Sequence, residues 1–86
     1  LSRQVLKYTL SHDPVIEIQD GSRFLYFGMQ GKEFRAWFEC LVPGVKQRWE
    51  FRIFGTGVPI PENFQWLATH ADESTATVWH LYERFK

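Results

Sequence analysis

From Glu33 to Val42 the chain alternates without a break: Phe34, Ala36, Phe38, Cys40 and Val42 point one way, and Glu33, Arg35, Trp37, Glu39 and Leu41 the other. Period two belongs to a strand with one buried face, because a helix would scatter the same residues around its circumference. The pattern recurs at Val5–Leu10, with Leu6, Tyr8 and Leu10 opposite Val5, Lys7 and Thr9. At Arg48–Phe54 it turns Trp49, Phe51 and Ile53 inward and Arg48, Glu50 and Arg52 outward. Across Thr75–Phe85 it sets Trp79, Leu81 and Phe85 against Val78, His80 and Tyr82. Val15–Ile18 is a short strand. The nearly continuous apolar run Phe24–Met29 predicts a strand covered on both faces. Phe64–Thr69 fits either a strand or a short helix starting near Pro61, and β-rich neighbours in need of pairing partners favour the strand.

The punctuation agrees. His12-Asp13-Pro14 breaks the first run, Asp20-Gly21 is a hairpin-turn dipeptide, and Gly31 supplies another turn. Pro43-Gly44 suits the centre of a type II turn, which predicts a hairpin between Glu33–Val42 and Arg48–Phe54. The expectation is one all-β domain over residues 1–86: a small antiparallel sandwich or partly open barrel of about six to seven short strands.

The last of those strands but two ends abruptly in Gly55-Thr56-Gly57-Val58-Pro59-Ile60-Pro61, where two glycines and two prolines fall within seven residues. Glycine admits positive φ, and proline fixes φ and removes a donor, so few other residues could follow this path. One reading is a corner that carries the chain between sheets. The other is a corner that also presents backbone N–H groups to an anion, with Arg52 one pleat away as its positive partner. The string lacks the lysine and following helix of a P-loop. Arg52, Gly55, Thr56 and Gly57 are therefore candidate ligand-binding residues.

An 86-residue chain buries only roughly 60% of its unfolded surface. The 17% aromatic content offsets that thin core, and any ring left outside favours self-association or a partner. Ten basic residues balance ten acidic ones. Nucleic-acid binding, which rests on a basic surplus, is disfavoured, and identical subunits can approach without net repulsion. A homo-oligomer is expected. Cys40 is the single cysteine and shares its face with Phe38 and Val42, which predicts a buried, inert thiol and excludes an internal disulfide.

Neither a membrane-length apolar run nor a signal-peptide pattern is present, so no membrane partner is expected. His12, His70 and His80 are scattered without ligand spacing, and no metal site or cofactor is expected. No nucleophile elbow or carboxylate pair appears, so the expectation is not an enzyme. His80 reads as a strand residue that hydrogen-bonds across its sheet. Trp37, on a charged face between Arg35 and Glu39, has the profile of an interface anchor, or else stacks on Arg35 or a cross-strand Arg48 or Arg52. Trp37, Arg35 and His80 join the candidate partner-binding residues.

Arg3-Gln4-Val5-Leu6-Lys7-Tyr8, Arg52 through Ile60, and Trp79-His80-Leu81-Tyr82-Glu83 together resemble a family of small uncharacterised proteins of tailed bacteriophages and prophages, known only as a domain of unknown function. The Gly-Thr-Gly-x-Pro-Ile string is its distinctive part, with histidine more common at the position of Val58. The resemblance implies an accessory phage protein made in the host cytoplasm. Joined to the residue-level reading, it suggests a non-enzymatic binder that antagonises a host defence, by sequestering a small nucleotide signal or occupying a host protein. The alternative is a structural or assembly module of the virion.

Overall fold

The computed structural model describes residues 1–11 and 14–86, which leaves the predicted break at His12-Asp13 outside the described residues. Seven strands form: β1 Ser2–Thr9, β2 Val15–Gln19, β3 Arg23–Gln30, β4 Glu33–Val42, β5 Lys46–Gly55, β6 Gln65–Asp72 and β7 Thr77–Phe85. They make two antiparallel sheets, one ordered β1-β4-β3 and the other β2-β5-β7-β6. The described residues contain no helix, and the ambiguous segment at Phe64–Thr69 is strand β6. The two sheets stay separate, so the molecule is a small sandwich and not a closed barrel.

The alternating faces meet between the sheets. Ala36, Phe38 and Cys40 of β4 pack with Phe27, Ile18, Leu10, Phe51 and Leu81, all buried. The rings of Phe38 and Phe51 sit 5.9 Å apart across the layers. Cys40 is buried, as its neighbours on the strand predicted. Its neighbour Tyr8 has a phenol pushed up to about 12, by burial first and then by the charge and hydrogen bond of Cys40.

The predicted hairpin between β4 and β5 does not form, because the two strands belong to different sheets. Both have one apolar face, and those faces satisfy each other by stacking across the core instead of lying side by side. A cis Val42–Pro43 peptide and Gly44 make the crossing, and Gly44 has no positive φ, so the turn is not type II. Glycine is required there for space: a Cβ would stand 2.9 Å from the Leu41 carbonyl oxygen. Asp20-Gly21 likewise turns the chain between sheets and not within a hairpin, with only Gly21 at positive φ (+77°). The two crossings lie side by side, since Asp20 N–H donates to the Val45 carbonyl at 2.7 Å. Gly31 does close a hairpin, with Gln30 opposite Glu33.

The run Phe24–Met29 is not covered on both faces. It forms edge strand β3, with Leu25, Tyr26 and Met29 exposed. A register shift between Phe24 and Tyr26 is the physical reason. The bulge aims Phe24 at the core and sends Tyr26 outward, so apolar residues serve both faces of a strand with one open side. The Tyr26 ring then folds back over Gly28, where a Cβ would meet it at 2.7 Å.

The Gly-Pro segment does not cross between sheets either. It links β5 to β6, which run in the same direction with β7 between them. Residues 56–64 must therefore return along the outer face of the four-stranded sheet. Phe64 anchors the far end of that path, 4.7 Å from the Arg84 guanidinium and 6.2 Å from the Phe54 ring.

Candidate functional site

The corner opens with a tight turn: Val58 N–H donates to the Gly55 carbonyl at 3.2 Å. Gly57 takes φ +89° while Thr56 keeps a negative value, the signature of a type II turn with glycine at its third position. Gly55 has ordinary φ and ends β5. The turn holds exposed Thr56 beside His80 of β7, with Thr56 Oγ1 3.0 Å from His80 Nε2.

His80 is the centre of a chain of side-chain hydrogen bonds across the outer face. Its Nδ1 lies 3.1 Å from Thr69 Oγ1, and Trp66 Nε1–H donates to that same oxygen at 2.9 Å. One arrangement uses each hydrogen once. Trp66 donates to Thr69, the Thr69 hydroxyl donates to Nδ1, and His80 Nε2–H donates to Thr56. The Thr56 hydroxyl hydrogen is then left for a partner. A hollow of about 230 Å³ lies beside this chain, lined by the corner residues with His80 and Tyr82.

Sequence reasoning missed Trp66 and Thr69 as partners, and the reason is geometric. Three residues apart on a regular strand, they would face opposite ways. A register shift between Trp66 and Ala68 brings both to the outer face, opposite Tyr82 and His80. Alternation alone carried no signal for that bulge.

Arg52 shares the face but is turned from the corner. Its Nε donates to Glu50 at 2.7 Å and its guanidinium stands 5.6 Å from the Phe64 ring. Arg84 holds the other carboxylate oxygen at 2.7 Å, and Lys86 approaches to 3.8 Å. Glu50 is thereby buried on an outward face. Burial pushes its carboxyl up, but the hydrogen bonds and charges of Arg52 and Arg84 outweigh this and hold it below the ordinary range.

Trp37 and Arg35 stand apart from these residues, on the outer face of the three-stranded sheet. Because β5 lies in the other sheet, Arg48 and Arg52 are not cross-strand neighbours of Trp37; its ring partner is Tyr26 at 5.5 Å. Arg35 donates to Thr9 Oγ1 at 2.7 Å and pairs with Glu33 at 3.0 Å. The candidate residues thus divide between two opposite faces: Gly55, Thr56, Gly57, His80 and Arg52 on one, Trp37 and Arg35 on the other. Among the described residues no group of histidine, cysteine or carboxylate side chains is placed to hold a metal ion.

No curated protein and no solved structure matches the chain. One family model does, over residues 1–86, and the chain belongs to that family, described as domain of unknown function DUF7352.

Proposed function

We propose that this protein is a non-enzymatic binding module that occupies a partner protein, with the outer face of the four-stranded sheet as its contact surface. The carrying observation is Trp66, 59% exposed yet held by its own indole N–H in the Thr69–His80–Thr56 chain. A large exposed aromatic ring restrained before contact loses little freedom on binding, which is what an interface anchor requires. Val58 and Ile60, exposed on the corner, extend the apolar contact. The small-anion reading of the corner has weaker support, because Arg52 is engaged by Glu50 and Val58 N–H is used inside the turn.

Context comes from the resemblance to phage and prophage proteins. On that basis the partner is a host protein and the setting an infected bacterium, where occupying a defence component would serve the phage. Self-association falls to the opposite face, which carries Trp37 together with exposed Val5, Tyr26 and Leu41. The test is capture from host lysate by wild-type protein and by Trp66→Ala and Trp37→Ala variants of unchanged circular dichroism. Partner capture should vanish with Trp66→Ala and survive Trp37→Ala, while light scattering should show oligomers dissociating only in the latter. Equal capture by wild type and Trp66→Ala would reject this surface, and stoichiometric presence in purified virions would favour the structural role.

A further inference from the structure

At the end of the sandwich where the chain crosses between sheets, a cavity of about 260 Å³ opens between the layers. Phe24 and Phe38 wall it from one sheet, and Trp49, Phe51 and Leu67 from the other. The Gln19–Ser22 turn forms its rim, and Glu83 of β7 projects into it. From the contacts among the described residues, we propose that this cavity is a binding site for a small organic primary ammonium, its nitrogen on the Glu83 carboxylate and its short apolar stem among the aromatic rings.

Three observations carry this. Glu83 is on the inward face of β7, opposite Phe51 and Gln65, and no hydrogen bond or ion pair reaches its carboxylate from the described residues. Among the described residues the only other ionisable side chain in the lining is Asp20, also acidic, so their charge is of one sign with no cation among them to balance it. Aromatic faces attract a cation through their quadrupoles, and more strongly where water is excluded. An ammonium satisfies all three, donating N–H groups to the carboxylate in a charge-assisted hydrogen bond.

Size selects the stem. The cavity falls just under the roughly 300–1,000 Å³ of sites that take drug-sized ligands, so it admits an amine with a stem of a few carbons and has room for a somewhat longer one. Burial raises the Glu83 carboxyl above its ordinary range, with no donor among the described residues to offset it. The fold gains nothing from an unpaired, half-desolvated carboxylate, whereas a cationic ligand would compensate it. This site is separate from the outer face assigned to the protein partner, and either reading can fail without the other.

The experiment is a titration of isotopically labelled protein with n-butylammonium, with 1-butanol as the neutral isostere and Nα-acetyl-lysine amide as a stand-in for a peptide side chain. The expected result is saturable binding of butylammonium that moves the Trp49 indole signal and leaves the Trp66 indole unmoved. Butanol should bind at least tenfold more weakly, and Glu83→Gln should weaken the amine at least tenfold, as loss of a charged hydrogen bond implies. Tighter binding of the lysine amide would identify a peptide side chain as the source of the ammonium, and tighter binding of butylammonium a free amine. Equal affinity for butanol, or unchanged amine affinity in a folded Glu83→Gln variant, would overturn the proposal. Absence of any Trp49 shift in the wild type at millimolar amine would overturn it without recourse to a variant.

Discussion

Alanine at Gly55 and at Gly57 should have opposite effects on stability, although the two glycines look equivalent in the Gly-Thr-Gly string. At Gly57 a Cβ would meet nothing within 4 Å, so crowding contributes no cost. The whole penalty is conformational, because φ is +89°. A left-handed backbone costs an L-residue roughly 1–2 kcal/mol. Against this, alanine narrows the unfolded ensemble by about 0.4–1 kcal/mol. The net loss for Gly57→Ala is on the order of 1 kcal/mol.

At Gly55 φ is ordinary, and a Cβ would touch Trp79 and Val58 at 3.9 Å, normal van der Waals contact. Only the unfolded-state term remains, so Gly55→Ala should gain about 0.4–1 kcal/mol. The unfolded-state term is common to both variants, so they should differ by the strain alone, about 1–2 kcal/mol. At about 4–8 °C per kcal/mol for a domain of this size, that is a gap of roughly 4–16 °C in Tm. Urea unfolding with unchanged slope checks that both variants shift stability without altering the compactness of the denatured state. Equal shifts for both variants, or a cost-free Gly57→Ala, would refute the assignment of positive φ to Gly57 alone.

Ala76 holds φ +55° in the turn between β6 and β7, and Ala76→Gly should raise stability by a few tenths to about 1 kcal/mol in the same assay. Leu81 is wholly buried between Ile53 and Ala68 in the ladder, so Leu81→Ala should cost about 2–5 kcal/mol and shift the urea midpoint accordingly. The Glu83 carboxyl titrates above its ordinary 4.5 when folded, so its protonated form favours the fold: wild type is best stabilised below about that pH and loses stability as pH rises through the folded value. Glu83→Gln should accordingly be more stable than wild type at pH 7, with the gap closing near pH 4. Glu50 has the opposite sign, its folded carboxyl lying below 4.5, so its contribution is present above that pH and is lost as pH falls through the folded value. Thermal melts across pH 3–8 should show Glu50→Gln less stable than wild type at neutrality and the difference shrinking in acid.

Which residues face inward was legible from alternation alone. Phe38, Cys40, Phe51 and Leu81 were placed correctly, and all are buried. His80 bonding across its sheet was legible too, since its face follows from period two. Glu83 was legible as an inward carboxyl once His80 pointed outward, but the cavity around it was not. The lining comes from both sheets and from the β2–β3 turn, and no local pattern reports that meeting.

Two kinds of information escaped the sequence. Bulges at Leu25 and Leu67 break the period at one residue each, so Tyr26 and the Trp66–Thr69 pair reached outer faces that alternation denied them. Sheet membership escaped as well: Pro43-Gly44 and Asp20-Gly21 were recognisable as turns, but not as crossings between layers. A strand's own residues determine which of its faces is apolar, because each side chain's preference for water is local. Whether consecutive strands then pair edge to edge or stack face to face depends on the burial available to the whole chain. Here stacking β4 on β5 buries both apolar faces at once, and only the tertiary structure makes that choice.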